Sequence, residues 1–300
     1  MSTVARQAIG VSTYATRPVT KGPGWHGLVT ADVLFNNLSS GLFLAAALAE
    51  LAVPGVFAAA AKVAYPIAFL LLLADLACLV IDLGDPFRFH HMLRVFKPSS
   101  PMSLGTWSLV AFSVPVTLLT IVDRLPAGGT ALEWIRRLAA ITGILPAFAV
   151  ATYKGVLFST SSQPGWKDAR WLGAYLANSA LVLGCAELLT IAVVAGYESA
   201  VPRLSAALAL LLAVSLVALF LLVEEVRGEL SRYRAPGELG VLAALVAGVG
   251  IVLPLLLLSG QADGLRLAAV ALVVFGALVA RHEVVRLPHR SPRTQIGQNT

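Results

Sequence analysis

The sequence predicts an all-α integral membrane protein whose eight transmembrane helices form two parallel four-helix halves, and three observations carry that expectation. Apolar residues make up 58% of the 300 and charged residues only 13%, with a mean hydropathy of +0.82, well outside the composition of soluble globular chains. The apolar excess is Leu, Ala and Val in long runs of about 20 residues, the length a helix needs to cross the hydrocarbon core. An outer-membrane barrel would instead show alternating segments of about 10 residues. Third, the small polar run Asn36-Asn37-Leu38-Ser39-Ser40-Gly41 of the first span returns in flavour as Asn178-Ser179-Ala180 four spans later. Four crossings restore the direction of the chain, so a duplication at that interval gives two halves of one orientation.

In order, the apolar runs lie near 29 to 51, 64 to 83, 102 to 122, 138 to 158, 171 to 196, 204 to 223, 239 to 259 and 264 to 281. Turn-forming residues close most of them, among them Val53-Pro54-Gly55, Gly84-Asp85-Pro86, Leu125-Pro126-Ala127-Gly128-Gly129, Gln163-Pro164-Gly165 and Ala235-Pro236-Gly237. Pro115, Pro146 and Pro254 fall well inside spans and are expected to kink them. Residues 1–28 read as a polar tail, because Arg6, Arg17 and Lys21 are not followed by the continuous apolar core of a signal peptide. The membrane domain is expected over residues 29–283, with a basic C-terminal tail over 284–300.

Eight spans put both termini on one side, together with the connections after helices 2, 4 and 6; we call this side A. It carries 16 of the 22 Lys and Arg residues, against 6 on side B. The positive-inside rule then places side A, and both termini, in the cytoplasm. The net charge of +6 is therefore a property of membrane sides and not a sign of nucleic-acid binding.

Redox groups of the chain's own are not expected. Cys78 and Cys185 are the only cysteines, whereas an iron-sulfur cluster takes about four cysteine ligands. They read as small packing residues. All five histidines, His26, His90, His91, His282 and His289, lie on or near side A, so axial haem ligands inside helices are lacking. No metal site is expected either.

Ionisable residues within apolar spans cost about 2.5 to 3.5 kcal/mol each to insert, which makes each one a functional candidate. Asp32 and Asp82 sit near the side-A ends of helices 1 and 2, and Lys154 lies beside Tyr153 at the same depth in helix 4. Asp75 falls near mid-membrane, Glu187 toward side B, and Glu50 and Lys62 flank the side-B turn between helices 1 and 2. Asp75, Glu187 and Glu50 form a stepped proton relay or, alternatively, are structural groups paired between helices. The Asn36 to Gly41 run reads as close helix packing with interhelical hydrogen bonds. The loop from Asp82 to Pro101 alternates aromatic and basic residues, among them Phe87, Arg88, Phe89, His90, His91, Arg94, Phe96 and Lys97. That pattern suits a lipid-headgroup anchor or a docking platform.

Three groups of residues in this region go further. Asp82-Leu83-Gly84-x-Pro86, Arg88-Phe89-x-His91-Met92-Leu93 and Pro98-x-Ser100-Pro101-Met102-Ser103-x-Gly105-x-Trp107 resemble the signature of the NrfD and polysulfide-reductase membrane subunit family. Tyr153-x-Gly155-Val156-Leu157-Phe158-Ser159 and Gly276-x-Leu278-x-x-Arg281 fit the same family. The sequence departs from the pattern at Asp85, where the signature usually has arginine, and at Asp32, where relatives often show histidine or tyrosine.

The resemblance implies a quinone-reactive membrane anchor of a respiratory oxidoreductase in a bacterial cytoplasmic membrane. Its substrate is menaquinone or ubiquinone, and it has no haem or iron-sulfur cluster of its own. The implied partners are a four-cluster ferredoxin-like iron-sulfur subunit on the signature-bearing face and, beyond it, a molybdopterin or multihaem cytochrome catalytic subunit, besides the membrane lipid. The quinone pocket carries over onto Tyr153 and the polar residues early in helix 1, Asp32 and Asn36, with Asp82, His90 and Lys154 near enough to hold charge or exchange protons. Two other function classes fit the residues alone: a proton-coupled secondary transporter, for which buried carboxylates and internal prolines are also suitable, and a structural anchor without a pocket.

Overall fold

A computed structural model describes residues 27–125, 129–163 and 165–290. Nearly all of the polar N-terminal tail with His26, the turn residues 126–128, Pro164 and residues 291–300 of the basic tail lie outside the described residues. The described chain contains eight helices long and apolar enough to cross a membrane. We number them α1 (Gly27–Ala52), α2 (Pro54–Asp82), α3 (Pro101–Val122), α4 (Thr130–Ser159), α5 (Leu172–Val194), α6 (Val201–Tyr233), α7 (Pro236–Leu258) and α8 (Asp263–Arg286).

Three helices are longer than the apolar runs suggested. The apolar runs begin ten residues late in α2 and eight late in α4, and α6 continues ten residues past its run. Hydropathy marks the part of a helix that lies in hydrocarbon, while helix propensity carries it on through the interface. The alanine-rich start of α2 and the Glu224, Glu225, Arg227 end of α6 are good helix formers, the latter with an i,i+3 pair between Glu224 and Arg227. The early start also puts Pro66 inside α2, a fourth interior proline besides the three expected.

Pro254 acts over a longer range than a local kink. Proline has no N–H for the carbonyl four residues back, and the preceding stretch Ala244–Val252 of α7 is wound as a π-helix, with Leu253 N–H donating to Gly248 O.

Helices α1 to α4 pack around one another, as do α5 to α8, and the halves meet chiefly along α1 and α5. The seam is made by small residues. A Cβ on Gly41 would overlap the Ala180 carbonyl, and one on Gly184 would overlap the Gly41 carbonyl, so the two backbones touch in the manner of small-residue membrane interfaces. The polar run of α1 works as expected. Ser39 Oγ donates to Ala68 O of α2 at 2.7 Å and Asn37 Nδ2 to Ala151 O of α4 at 3.1 Å. Its echo in α5 makes a matching link, Asn178 Nδ2 to Ser215 Oγ of α6 at 2.6 Å. Cys78 and Cys185 are both free and buried, in α2 and α5 respectively. Leu70, Val114, Leu145 and Leu210 point outward, as lipid-facing side chains do.

Candidate functional site

The site begins at the side-A ends of the first four helices. Asp32 is five residues into α1, Asp75 seven residues before the end of α2, and Lys154 five before the end of α4. At 1.5 Å per residue all three lie about 8 to 10 Å below side A. Asp75 is therefore not at mid-membrane. The longer α2 moves the helix midpoint toward side B and leaves Asp75 level with the other two.

At this depth Lys154 bridges both carboxylates. Its Nζ is 2.8 Å from Asp32 Oδ2, 2.9 Å from Asp75 Oδ1 and 3.0 Å from the Asp32 carbonyl. Asn36 Nδ2 donates to the other oxygen of Asp75 at 3.0 Å, and Ser40 Oγ donates to the Asn36 carbonyl at 2.7 Å. Asp75 is 0% exposed and is thereby held on both oxygens. Asp32 is held on one: its Oδ1 has no partner among the described residues, and neither has Asn36 Oδ1. A buried acceptor without a donor costs free energy, so Asp32 Oδ1, on the lining of the adjoining cavity, suits a ligand hydroxyl.

Beside the triad opens a cavity of about 470 Å³. Its walls are Leu76, Leu79 and Val80 of α2, Met102, Thr106, Leu109, Val110 and Ser113 of α3, and Leu157 and Phe158 of α4. Asp32, Tyr153 and Lys154 supply the polar part, and Asp82, Gly84, Phe89, Met92 and Leu93 form the side-A mouth. Tyr153 is placed by α3: a Cβ on Gly105 would overlap its ring, so only glycine lets α3 come that close. Lys154 Nζ stands 5.6 Å from the centre of that ring.

The signature residues hold the mouth in place. Ser100 caps α3 by accepting from Ser103 N–H at 3.4 Å, and Pro101 occupies the first turn, where no N–H is needed. Ser103 Oγ accepts from Lys97 N–H at 2.9 Å, and Phe96 meets Trp107 edge-on at 6.0 Å. The preceding Pro86–Leu93 segment is a 3-10 helix with no buried residue. It carries Phe87 out of the molecule beside Arg88 and the following Arg94, while Phe89 turns to the cavity mouth. His90 belongs to this surface. It is exposed, its Nδ1 lies 2.9 Å from Phe87 O, and it stacks against His91 at 4.3 Å, outside the cavity wall.

Two further polar groups matter. Arg281 of α8 is 1% exposed, with Nη2 donating to Asn37 Oδ1 at 2.6 Å and Ser179 Oγ at 3.1 Å, and Nε to Val33 O at 3.4 Å. It lies five residues before the end of α8, at the depth of Lys154, and no carboxylate among the described residues pairs with it. Two buried cations thus accompany two buried carboxylates on this level. In the sequence Arg281 stands at the end of the last apolar run, among the side-A charges; α8 runs on to Arg286 and so places it inside.

On side B, Glu50 of α1, Tyr65 of α2, Asp123 after α3 and Arg136 of α4 join into one network. Tyr65 Oη donates to Glu50 Oε2 at 2.8 Å, and Arg136 pairs with both Glu50 and Asp123. Burial pushes the Asp123 carboxyl up to about 6, against the opposing pull of Lys62 and Arg124. Glu50 is therefore a paired group, while Lys62 lies within α2 and not in a turn. Glu187 stands apart in α5, about 22 Å from side A, with Oε2 lacking a partner among the described residues. Asp75, Glu187 and Glu50 are not brought together; the core between the two ends of the first half is Phe43, Leu72, Phe112 and Leu44.

A multi-pass membrane chain thus carries a lysine-bridged carboxylate pair beside an apolar cavity that opens at an aromatic and basic surface loop. A sequence model described as polysulfide reductase matches residues 17–291. The chain belongs to the polysulfide reductase family of membrane subunits of respiratory oxidoreductases, which assemble with catalytic and iron-sulfur subunits. No curated protein sequence matches the chain.

Proposed function

We propose that this chain is the quinone-reactive subunit of its complex, with the cavity among α1 to α4 as the quinone site and the exposed loop around Pro86–Leu93 as the docking surface for an iron-sulfur partner. The observation that carries the reading is the Lys154 triad on the wall of that cavity. A quinone exchanges two protons with every two electrons, so its site needs hydrogen-bonding groups at the carbonyls and a route for protons.

The residues supply both. Tyr153 presents a phenol at the wall and is the candidate donor to one carbonyl. The free Oδ1 of Asp32 accepts a proton there, and Lys154 compensates the charge. Asn36 keeps Asp75 turned toward Lys154, so the ammonium stays between two carboxylates whichever of them holds a proton. Asp82 at the mouth is exposed and exchanges with the water of side A. The apolar walls on α2 and α3 fit an isoprenoid tail. On this reading the membrane is the bacterial cytoplasmic membrane, and the 16 basic residues of side A face the cytoplasm or an acidic partner surface.

Tyr153→Phe tests the reading directly. The variant should assemble to normal levels and lose quinone-coupled turnover by about a hundredfold, the usual size of a lost general acid-base or donor group. Unchanged turnover would remove the tyrosine from the site.

A further inference from the structure

The second half of the molecule has a cavity of its own, and it occupies the same place in its half as the first cavity does in the other. It measures about 490 Å³. One is lined by α1 to α4 and the other by α5 to α8, both toward side A. The chemistry of the walls differs. Leu216, Leu219 and Phe220 of α6 face Leu242, Val246 and Ala247 of α7, and no buried lysine or aspartate stands among the lining residues. Where the first cavity takes Asp32 from its leading helix, the second takes Tyr175. The cation at the depth of Lys154, Arg281, is turned away into the α1 and α5 seam.

The wall on α7 is unusual. Val246 and Ala247 belong to the π-helical stretch Ala244–Val252, and π segments recur at functional sites. One turn further on, α7 is pressed against α8, since a Cβ on Gly250 or Gly276 would overlap the other glycine.

The mouth is charged in both signs. Glu224 and Arg227 of α6 are 3.6 Å apart, with 47% and 72% of their side chains exposed, and Glu283 of α8, paired with Arg234 at 2.5 Å, joins them in the lining. These residues follow directly on the apolar part of α6, at headgroup level. An apolar shaft below carboxylates and a guanidinium complements an amphiphile whose head bears an ammonium and a phosphate.

We propose that the α5 to α8 half binds one membrane phospholipid with a zwitterionic ammonium head, such as phosphatidylethanolamine, one acyl chain filling the shaft and the head lying against the exposed pair Glu224 and Arg227. The test uses the intact complex, purified in mild detergent from the membrane and analysed by native mass spectrometry and lipid extraction. The wild-type complex should retain stoichiometric ethanolamine phospholipid, and Ala247→Trp, which fills the shaft, should lose it. Should Ala247→Trp fail to assemble, the exposed double variant Glu224→Gln with Arg227→Gln carries the test, and its phospholipid should be washed out. Retention unchanged in the variant measured overturns the proposal. So does a quinone recovered in place of the phospholipid and lost on filling the shaft.

Discussion

At the residue scale the account rests on charge accounting in a low-dielectric place. Lys154 satisfies two carboxylates that would otherwise repel one another. Removing one partner of a buried ion pair costs about 3 to 5 kcal/mol, because the remaining charge stays buried. Lys154→Met should therefore destabilise the assembled complex by that order, read as a lower unfolding temperature, and the double variant Lys154→Met with Asp75→Asn should recover part of the loss. A single variant as stable as wild type would contradict the bridge. Asp123 allows a separate test by pH. Its folded pKa, about 6, is raised above the ordinary aspartate value of 3.8, so the folded protein binds that proton more tightly than the unfolded chain. The stabilisation is full below the ordinary value and is lost as pH rises through about 6. Thermal unfolding from about pH 4 to about pH 7.5 should show Asp123→Asn flattening part of the wild-type decline; parallel curves would dismiss the assignment.

At the scale of elements, the first cavity depends on how closely α3 approaches α4. Gly105 is the contact point, and a valine there would displace the Tyr153 ring. Gly105→Val should depress quinone-coupled turnover as strongly as Tyr153→Phe while leaving complex assembly intact, measured by turnover and by co-purification of the partner subunits. Wild-type turnover would show that the ring position is not critical. The same elements mark what the sequence reveals. The spans were legible because about 20 apolar residues have no other use, whereas Ser100 and Pro101 were legible only as part of the signature and their capping of α3 shows in the structure. Helix ends were less legible, and with them the depth of Asp75 and the burial of Arg281, because hydropathy does not register the charged or alanine-rich turns beyond the hydrocarbon. The π winding of α7 has only Pro254 as a trace. The position of His90 outside the cavity wall follows from the 3-10 geometry of an exposed loop, which residue types do not encode.

At the scale of the whole molecule, two four-helix halves share a topology and differ in chemistry. One half has a cavity with a lysine, two carboxylates and a tyrosine at its side-A end, and the other an apolar cavity of similar size. The polar echo between Asn36 to Gly41 and Asn178 to Ala180 gave a sequence trace of this arrangement, and the paired links Asn36 to Asp75 and Asn178 to Ser215 are its structural counterpart. The surface loop joins α2 to α3 over the mouth of the first cavity only, so a partner docked there lies closest to that half. The central claim, that quinone is received among α1 to α4, is tested most directly by labelling the assembled complex with a photoreactive quinone and mapping the modified peptides. Labels on the α3 stretch from Met102 to Ser113 or on α4 near Leu157, competed away by excess quinone and lost in Gly105→Val, are the expected result. Competable labels confined to α6 and α7, or none at all, would contradict it.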